Sequence, residues 1–129
     1  MEDVKITIAG LWIFKALASL TFTILWFLEE GVIEGIMAGE FLGMEIGPEL
    51  MLIGTIEAWV PLVLIVLSLT LKHTANRWTN IIAGIVFTAL SLISMADALT
   101  AHGILIWGSQ AVATALIVWY AWKWAKQEA

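Results

Sequence analysis

Four long apolar runs leave this 129-residue chain little choice of fold. They extend from Ile6 to Leu28, Leu50 to Leu71, Thr79 to Ala96 and Gly103 to Trp122. Each is close to the roughly 20 residues that cross about 30 Å of hydrocarbon. In lipid every backbone N–H and C=O must find its partner within the protein, so such runs fold as helices. The expected class is all-α: an antiparallel bundle of four transmembrane helices forming one domain over residues 1–129. Composition agrees, at 61% hydrophobic and 13% charged residues. Soluble domains average about 45–50% and about 25%. No connection is long enough to build a core of its own.

The connections set the expected orientation. Residues 29–49 carry six glutamates (Glu29, Glu30, Glu34, Glu40, Glu45 and Glu49) and no Lys or Arg. The second connection, KHTANRW, carries Lys72 and Arg77, and the third, Asp97 to His102, has no Lys or Arg. Lys5 precedes the first run; Lys123 and Lys126 follow the last. Basic residues gather on the cytoplasmic side of membrane proteins, which predicts N-in, C-in and an acidic loop outside. Trp26 and Trp107 then fall at the outer interface, and Trp78, Trp119, Tyr120, Trp122 and Trp124 at the inner one, as aromatic belts do. Trp12 and Trp59 lie deeper and are expected to pack between helices or line a cavity. The opening MEDVKITIAG lacks a signal-peptide cleavage pattern, so the first run is read as a retained anchor. The expected location is a plasma or inner membrane, crossed four times, with both termini cytoplasmic.

Composition also excludes chemistry. The chain has no cysteine, which removes disulfides, thiolate metal sites and cysteine nucleophiles. Two histidines, His73 and His102, are too few for multi-histidine metal or haem chemistry. The net charge of −5 gives no basic nucleic-acid surface. Neither a metal nor a cofactor is expected, and the expected partners are the bilayer, a second copy of the chain or another membrane subunit.

Two charges lie inside the runs, Lys15 in the first and Glu57 in the second. A charge at mid-membrane costs about 2.5–3.5 kcal/mol even on the lowest scales. It persists where it faces a bundle interior, finds a partner or has a function. At 100° per residue, each run also shows a polar or small face. The first carries Lys15, Ser19 and Thr23; the second, Gly54, Glu57, Pro61, Ser68 and Lys72. The third carries Asn80, Gly84, Ser91 and Ser94; the fourth, His102, Ser109, Gln110, Ala113 and Thr114. Such faces point inward in membranes, where small residues allow close approach and hydroxyls and amides bond across helices. Pro61 cannot donate to the Glu57 carbonyl and crowds it, so a kink is expected beside an ionisable side chain.

Depth argues against a simple ion pair. At 1.5 Å per residue, Lys15 lies roughly 20 Å below the outer boundary and Glu57 roughly 10 Å. Side chains lean toward their own helix N-terminus, which carries the two apart. The favoured cluster is therefore Glu57 with Gln110 and Ser91, with Asp97 and His102 at its mouth and Lys15 beneath. Away from a counter-charge, a carboxyl group in hydrocarbon favours its neutral form, as a proton-coupled site requires. A neutral hydrogen-bonding strut is the alternative reading of Glu57.

The stretch LSLTLKHTANRWTNIIAGI at 67–85, with VWYAWKW at 118–124 and the opening MEDVKIT, resembles an uncharacterised family of small prokaryotic four-span membrane proteins. More loosely, the layout resembles DoxX-like four-helix membrane proteins. The resemblance implies the four-helix fold; it brings no catalytic residues, and the acidic loop fits no motif.

Three functions stay open. The first is a transporter or channel-like bundle handling a proton, ion or small solute through Glu57 and Lys15. The second is an assembly or accessory subunit whose charges lock helices or partners together. The third is an outer-leaflet enzyme using Asp97 and His102 as an acid–base pair, with no nucleophile or metal motif beside them. The segment VIEGIMAGEFLGMEI also reads as a short lid lying on the interface, against a solvated acidic loop.

Overall fold

The computed structural model describes residues 2–41, 44–97 and 99–128. Its elements are α1 (Glu2–Phe27), α2 (Val32–Met37), β1 (Glu40–Phe41), β2 (Met44–Glu45), α3 (Pro48–Thr70), α4 (His73–Asp97) and α5 (Ala101–Glu128). The chain is all-α in class, and α1, α3, α4 and α5 are long and apolar enough to cross a membrane. Even α3, at 23 residues, is about 35 Å long, enough for about 30 Å of hydrocarbon.

Helices outrun the apolar runs that announce them. The third run begins at Thr79, but α4 begins at His73, so most of KHTANRW is helix and the turn shrinks to Leu71 and Lys72. Asn76 anchors this tight turn, its amide donating to the carbonyl oxygens of Ser68 at 2.8 Å and Leu71 at 3.2 Å. Those are orphan acceptors at the end of α3, and a side chain satisfies them. Hydropathy marks where lipid begins, while the helix extends beyond it.

The acidic loop has structure of its own. Gly31 (φ 82°) leads into α2 and Gly39 (φ 89°) follows it, both in the left-handed region that glycine enters without a Cβ penalty. An antiparallel ladder then pairs Glu40 with Glu45, and Ile46 N–H closes it onto the Gly39 carbonyl at 2.8 Å. No residue of α2 is buried. The lid reading spans residues 42 and 43, which lie outside the described residues.

Packing is uneven around the bundle. α4 packs broadly on α5, α5 on α1, and α1 on α3, whereas α3 barely touches α4. The core is Ile8, Trp12, Leu64, Ile81, Phe87, Ile117, Ala121 and Trp124. It lies toward the end holding both termini and the Leu71–Lys72 turn, here termed the terminal half. In α3 the buried residues are Pro61, Leu64 and Ser68, all in its second half. Its first half has neighbours on one side only, and Gly54 there has nothing within 4 Å of where a Cβ would stand. At Gly84 the opposite holds: a Cβ would meet Val118 Cγ2 at 2.6 Å and the Thr114 carbonyl oxygen at 3.1 Å. Only glycine permits that approach of α4 to α5, as small residues do at membrane helix interfaces.

Candidate functional site

Polar groups form three tiers along the bundle. The deepest in the terminal half is a closed network. The Trp12 indole N–H donates to Asn80 Oδ1 at 2.7 Å, and Ser68 Oγ donates to the same oxygen at 3.1 Å. Asn80 Nδ2 in turn donates to Asn76, to its carbonyl at 2.9 Å and its Oδ1 at 2.7 Å. All four residues are buried, and none has a buried polar atom without a partner. The network joins α1, α3 and α4, and it is where α3 and α4 meet. Trp12 therefore packs between helices, whereas Trp59 is exposed.

Next along the bundle is the ion pair. Lys15 is fully buried, and its Nζ contacts Glu57 Oε1. Ser19 Oγ donates to that same oxygen at 3.0 Å. The Glu57 side chain keeps 29% of its surface exposed, on the open flank of α3. Nζ also stands 4.8 Å from the centroid of the Phe87 ring, a cation–π contact. The depth argument separated these two charges; the structure joins them. Lys15 has a flexible four-carbon stem, and the axial offset between α1 and α3 comes from packing, not from counting residues to a boundary. The freed Glu57 carbonyl lies directly beneath Pro61, and α3 remains an unbroken helix through that proline.

One turn nearer the acidic loop the wiring is incomplete. Thr88 Oγ1 donates to Thr114 Oγ1 at 2.7 Å, and Met95 Sδ stands 3.4 Å from where a Gly108 Cβ would be. Between these contacts, Ser91 on α4 comes level with Gln110 on α5. The Phe22 ring lies 5.2 Å from that of Trp107, which brings Ser19 of α1 into the same layer. Ser19, Glu57, Ser91 and Gln110 thus form one layer with a member from each long helix. Gln110 is fully buried and Ser91 almost so, yet Gln110 Nε2 and Oε1 and Ser91 Oγ have no partner among the described residues. Leaving such a group unpaired costs about 1–3 kcal/mol each. The expected contacts of Glu57 with Gln110 and Ser91 are not made; its partners are Lys15 and Ser19.

At the mouth, His102 Nε2 lies 3.0 Å from Glu29 Oε2 and 3.5 Å from Thr100 Oγ1, with its ring stacked on Phe22 at 6.2 Å. This ties the end of α1 to the start of α5. Asp97 is exposed at the end of α4, and His102 takes its carboxylate from Glu29 instead. At the opposite end Arg77 Nε donates to the Ala121 carbonyl at 3.2 Å, with its guanidinium 4.8 and 5.2 Å from the Trp78 and Trp122 rings. Lys123 Nζ lies 4.4 Å from Trp119. His73 Nε2, buried against the edge of Trp124, is one further unpartnered atom. Among the described residues no three His, Cys, Asp or Glu side chains gather as metal ligands.

Lys15, Ser91 and Gln110 lie inside the bundle and Glu57 half-buried beside them, whereas Asn76 and the Glu29–His102 contact have no counterpart among the residues expected from the sequence. Asn76 was hidden in a segment read as connection. Its spacing of four from Asn80, with Ser68 on the facing helix, was the available signal. No curated protein and no solved structure matches the chain. A family model does match, described as a family of unknown function (DUF6326), over residues 1–129, and the chain belongs to that family.

Proposed function

We propose that this membrane protein handles a proton, ion or small solute at the Lys15–Glu57 pair. The observation that carries the reading is an asymmetry within the pair. Lys15 is sealed from its surroundings, while Glu57 keeps 29% of its side-chain surface open. Ionisable groups inside membrane helices pair with one another and mark ion and proton pathways, and Glu57 is the member of this pair that a guest can reach. The Trp12–Ser68–Asn76–Asn80 network closes the terminal half beneath it. Transport through the site therefore needs that network to part, as a gate does in alternating access.

The same reading takes the four spans as an antiparallel bundle with both termini cytoplasmic, in a plasma or inner membrane, the loose likeness to DoxX-like proteins included. Four helices enclose little volume, so it further holds the working unit to be a homo-oligomer. The test is flux in liposomes containing purified protein. Glu57→Gln is expected to abolish pH-dependent flux. If both flux and ligand-induced thermal stabilisation survive that substitution unchanged, Glu57 is not the working group.

A second reading, an assembly or accessory subunit, is favoured by the closed Asn76–Asn80 network and by charges that satisfy each other. Under it, the protein co-purifies from native membranes with a defined partner, and Lys15→Met or Glu57→Gln weakens that complex without any flux to lose.

A further inference from the structure

Gln110 presents a donor and an acceptor with no partner among the described residues, and Ser91 presents a hydroxyl, in a layer that also contains Ser19 and Glu57. Both bonds to the Glu57 carboxylate fall on Oε1, which leaves Oε2 open. The unpartnered set is buried and uncharged and holds both donors and acceptors. A metal cation is poorly matched to it. Calcium, for example, takes six to eight oxygens, and here the one carboxylate in the layer, Glu57, is already paired with the Lys15 ammonium. Water fits each requirement: it donates and accepts, and buried waters typically make about three bonds to otherwise unsatisfied polar groups.

We propose that Gln110 and Ser91 hold ordered water next to Glu57, and that the site exchanges protons through this water. The inference rests on the reading of Glu57 as the exchanging group. A proton arriving along the water bonds to the open Oε2 of Glu57. The water gives up that proton as the Oε2–H bond forms, Lys15 stays an ammonium bonded to Oε1, and the reverse transfer from Oε2 to the water releases the proton again. One proton enters and one leaves, both through Oε2 of Glu57. Gln110 and Ser91 are positioning residues in this scheme, since they fix the water and carry no proton themselves.

Two measurements on the full chain test it. In 15N-labelled protein in micelles, the Gln110 side-chain amide is assigned by its loss in Gln110→Met. Cross-relaxation from its hydrogens to water is expected; a Gln110 amide without it overturns the proposal on wild-type protein alone. In liposomes, proton flux is expected to be the same in potassium, sodium or N-methylglucamine. Gln110→Met is expected to slow it by at least about tenfold, the scale of a lost proton-transfer step. Flux that follows the sodium or potassium gradient overturns the proposal. So does full proton flux in Gln110→Met together with its loss in Glu57→Gln, a result that leaves the Glu57 reading intact. If Glu57→Gln itself leaves flux unchanged, the Glu57 reading has failed and the relay fails with it.

Discussion

In the terminal half, Trp12, Ser68, Asn76 and Asn80 pair all their buried polar atoms. About three turns further toward the acidic loop along α4, Ser91 and the neighbouring Gln110 pair none among the described residues. Packing follows the same gradient: α3 meets α4 at Ser68 but leaves its first half without buried residues. A polar group in hydrocarbon must be satisfied or cost stability. One end of this bundle is therefore built to stay shut, and the other retains unspent hydrogen-bonding capacity. Low local stability is where binding and gating elements are drawn from.

Asn80 offers the strongest way to break that contrast. Asn80→Ala strands the Trp12 indole N–H, the Ser68 hydroxyl and the Asn76 amide oxygen at once, and is expected to cost about 2–4 kcal/mol. Interhelical hydrogen bonds in membranes average only about 0.6 kcal/mol, so the stranded groups outweigh the lost bonds. Reversible unfolding in mixed micelles measures this; a loss below about 0.5 kcal/mol would show that the network closes nothing.

The ion pair gives a smaller but more discriminating effect. Glu57→Gln leaves the fully buried Lys15 facing a neutral amide and is expected to cost about 2 kcal/mol, below the 3–5 kcal/mol of an outright unpaired charge. Lys15→Met leaves a carboxyl already open on one side, and its cost is expected to be under about 1 kcal/mol. The same unfolding assay reads both. Equal costs would mean that the two ends of the pair are equally enclosed.

How much of this was legible beforehand follows from what each signal reports. The four runs reported lipid contact, and so gave four helices while missing six helical residues of α4, His73 to Trp78, that precede its apolar run. The polar faces reported direction in part: Lys15, Ser68, Asn80, Gly84, Ser91, Gln110 and Thr114 are buried, but Gly54 and Lys72, expected on the inward face of the second run, are exposed. Pairing was not legible. It depends on axial offsets between helices, which contacts such as Trp12 on Phe87 (5.6 Å) and Thr88 with Thr114 fix. Counting residues sets Lys15 roughly 10 Å deeper than Glu57, whereas the packing of α1 on α3 brings the two side chains together. His102 was misassigned for a related reason: Asp97 is near in sequence, but Glu29 is near in space.

Glycines probe the packing gradient without touching a charge. Gly84→Ala pushes against the Thr114 carbonyl, which belongs to a helix backbone and cannot rotate away, and against Val118. Its expected cost is about 1–2 kcal/mol. Gly54→Ala meets nothing, and removing a helical glycine is expected to stabilise by about 0.5–1 kcal/mol. Opposite signs in thermal unfolding support the gradient. A destabilising Gly54→Ala would instead mean that a second copy or another protein packs on the first half of α3, which is what the homo-oligomer reading anticipates there.

The mildest change belongs at the mouth. Glu29 and His102 join α1 to α5, but both side chains are about a third exposed, at 32% and 37%. Exposed pairs contribute about 0–1 kcal/mol and weaken as salt screens them. Glu29→Gln is therefore expected to cost no more than about 0.5 kcal/mol, with the difference from wild type shrinking between low and high salt. Phe22 stacked on His102 and tilted against Trp107 holds the same two helices without charge. The substitution should consequently leave α1 and α5 packed together, and unfolding at two salt concentrations separates the outcomes. A salt-independent loss above about 1 kcal/mol would place Glu29 in an enclosed contact, and the mouth would then be closed at both ends of the bundle rather than at one.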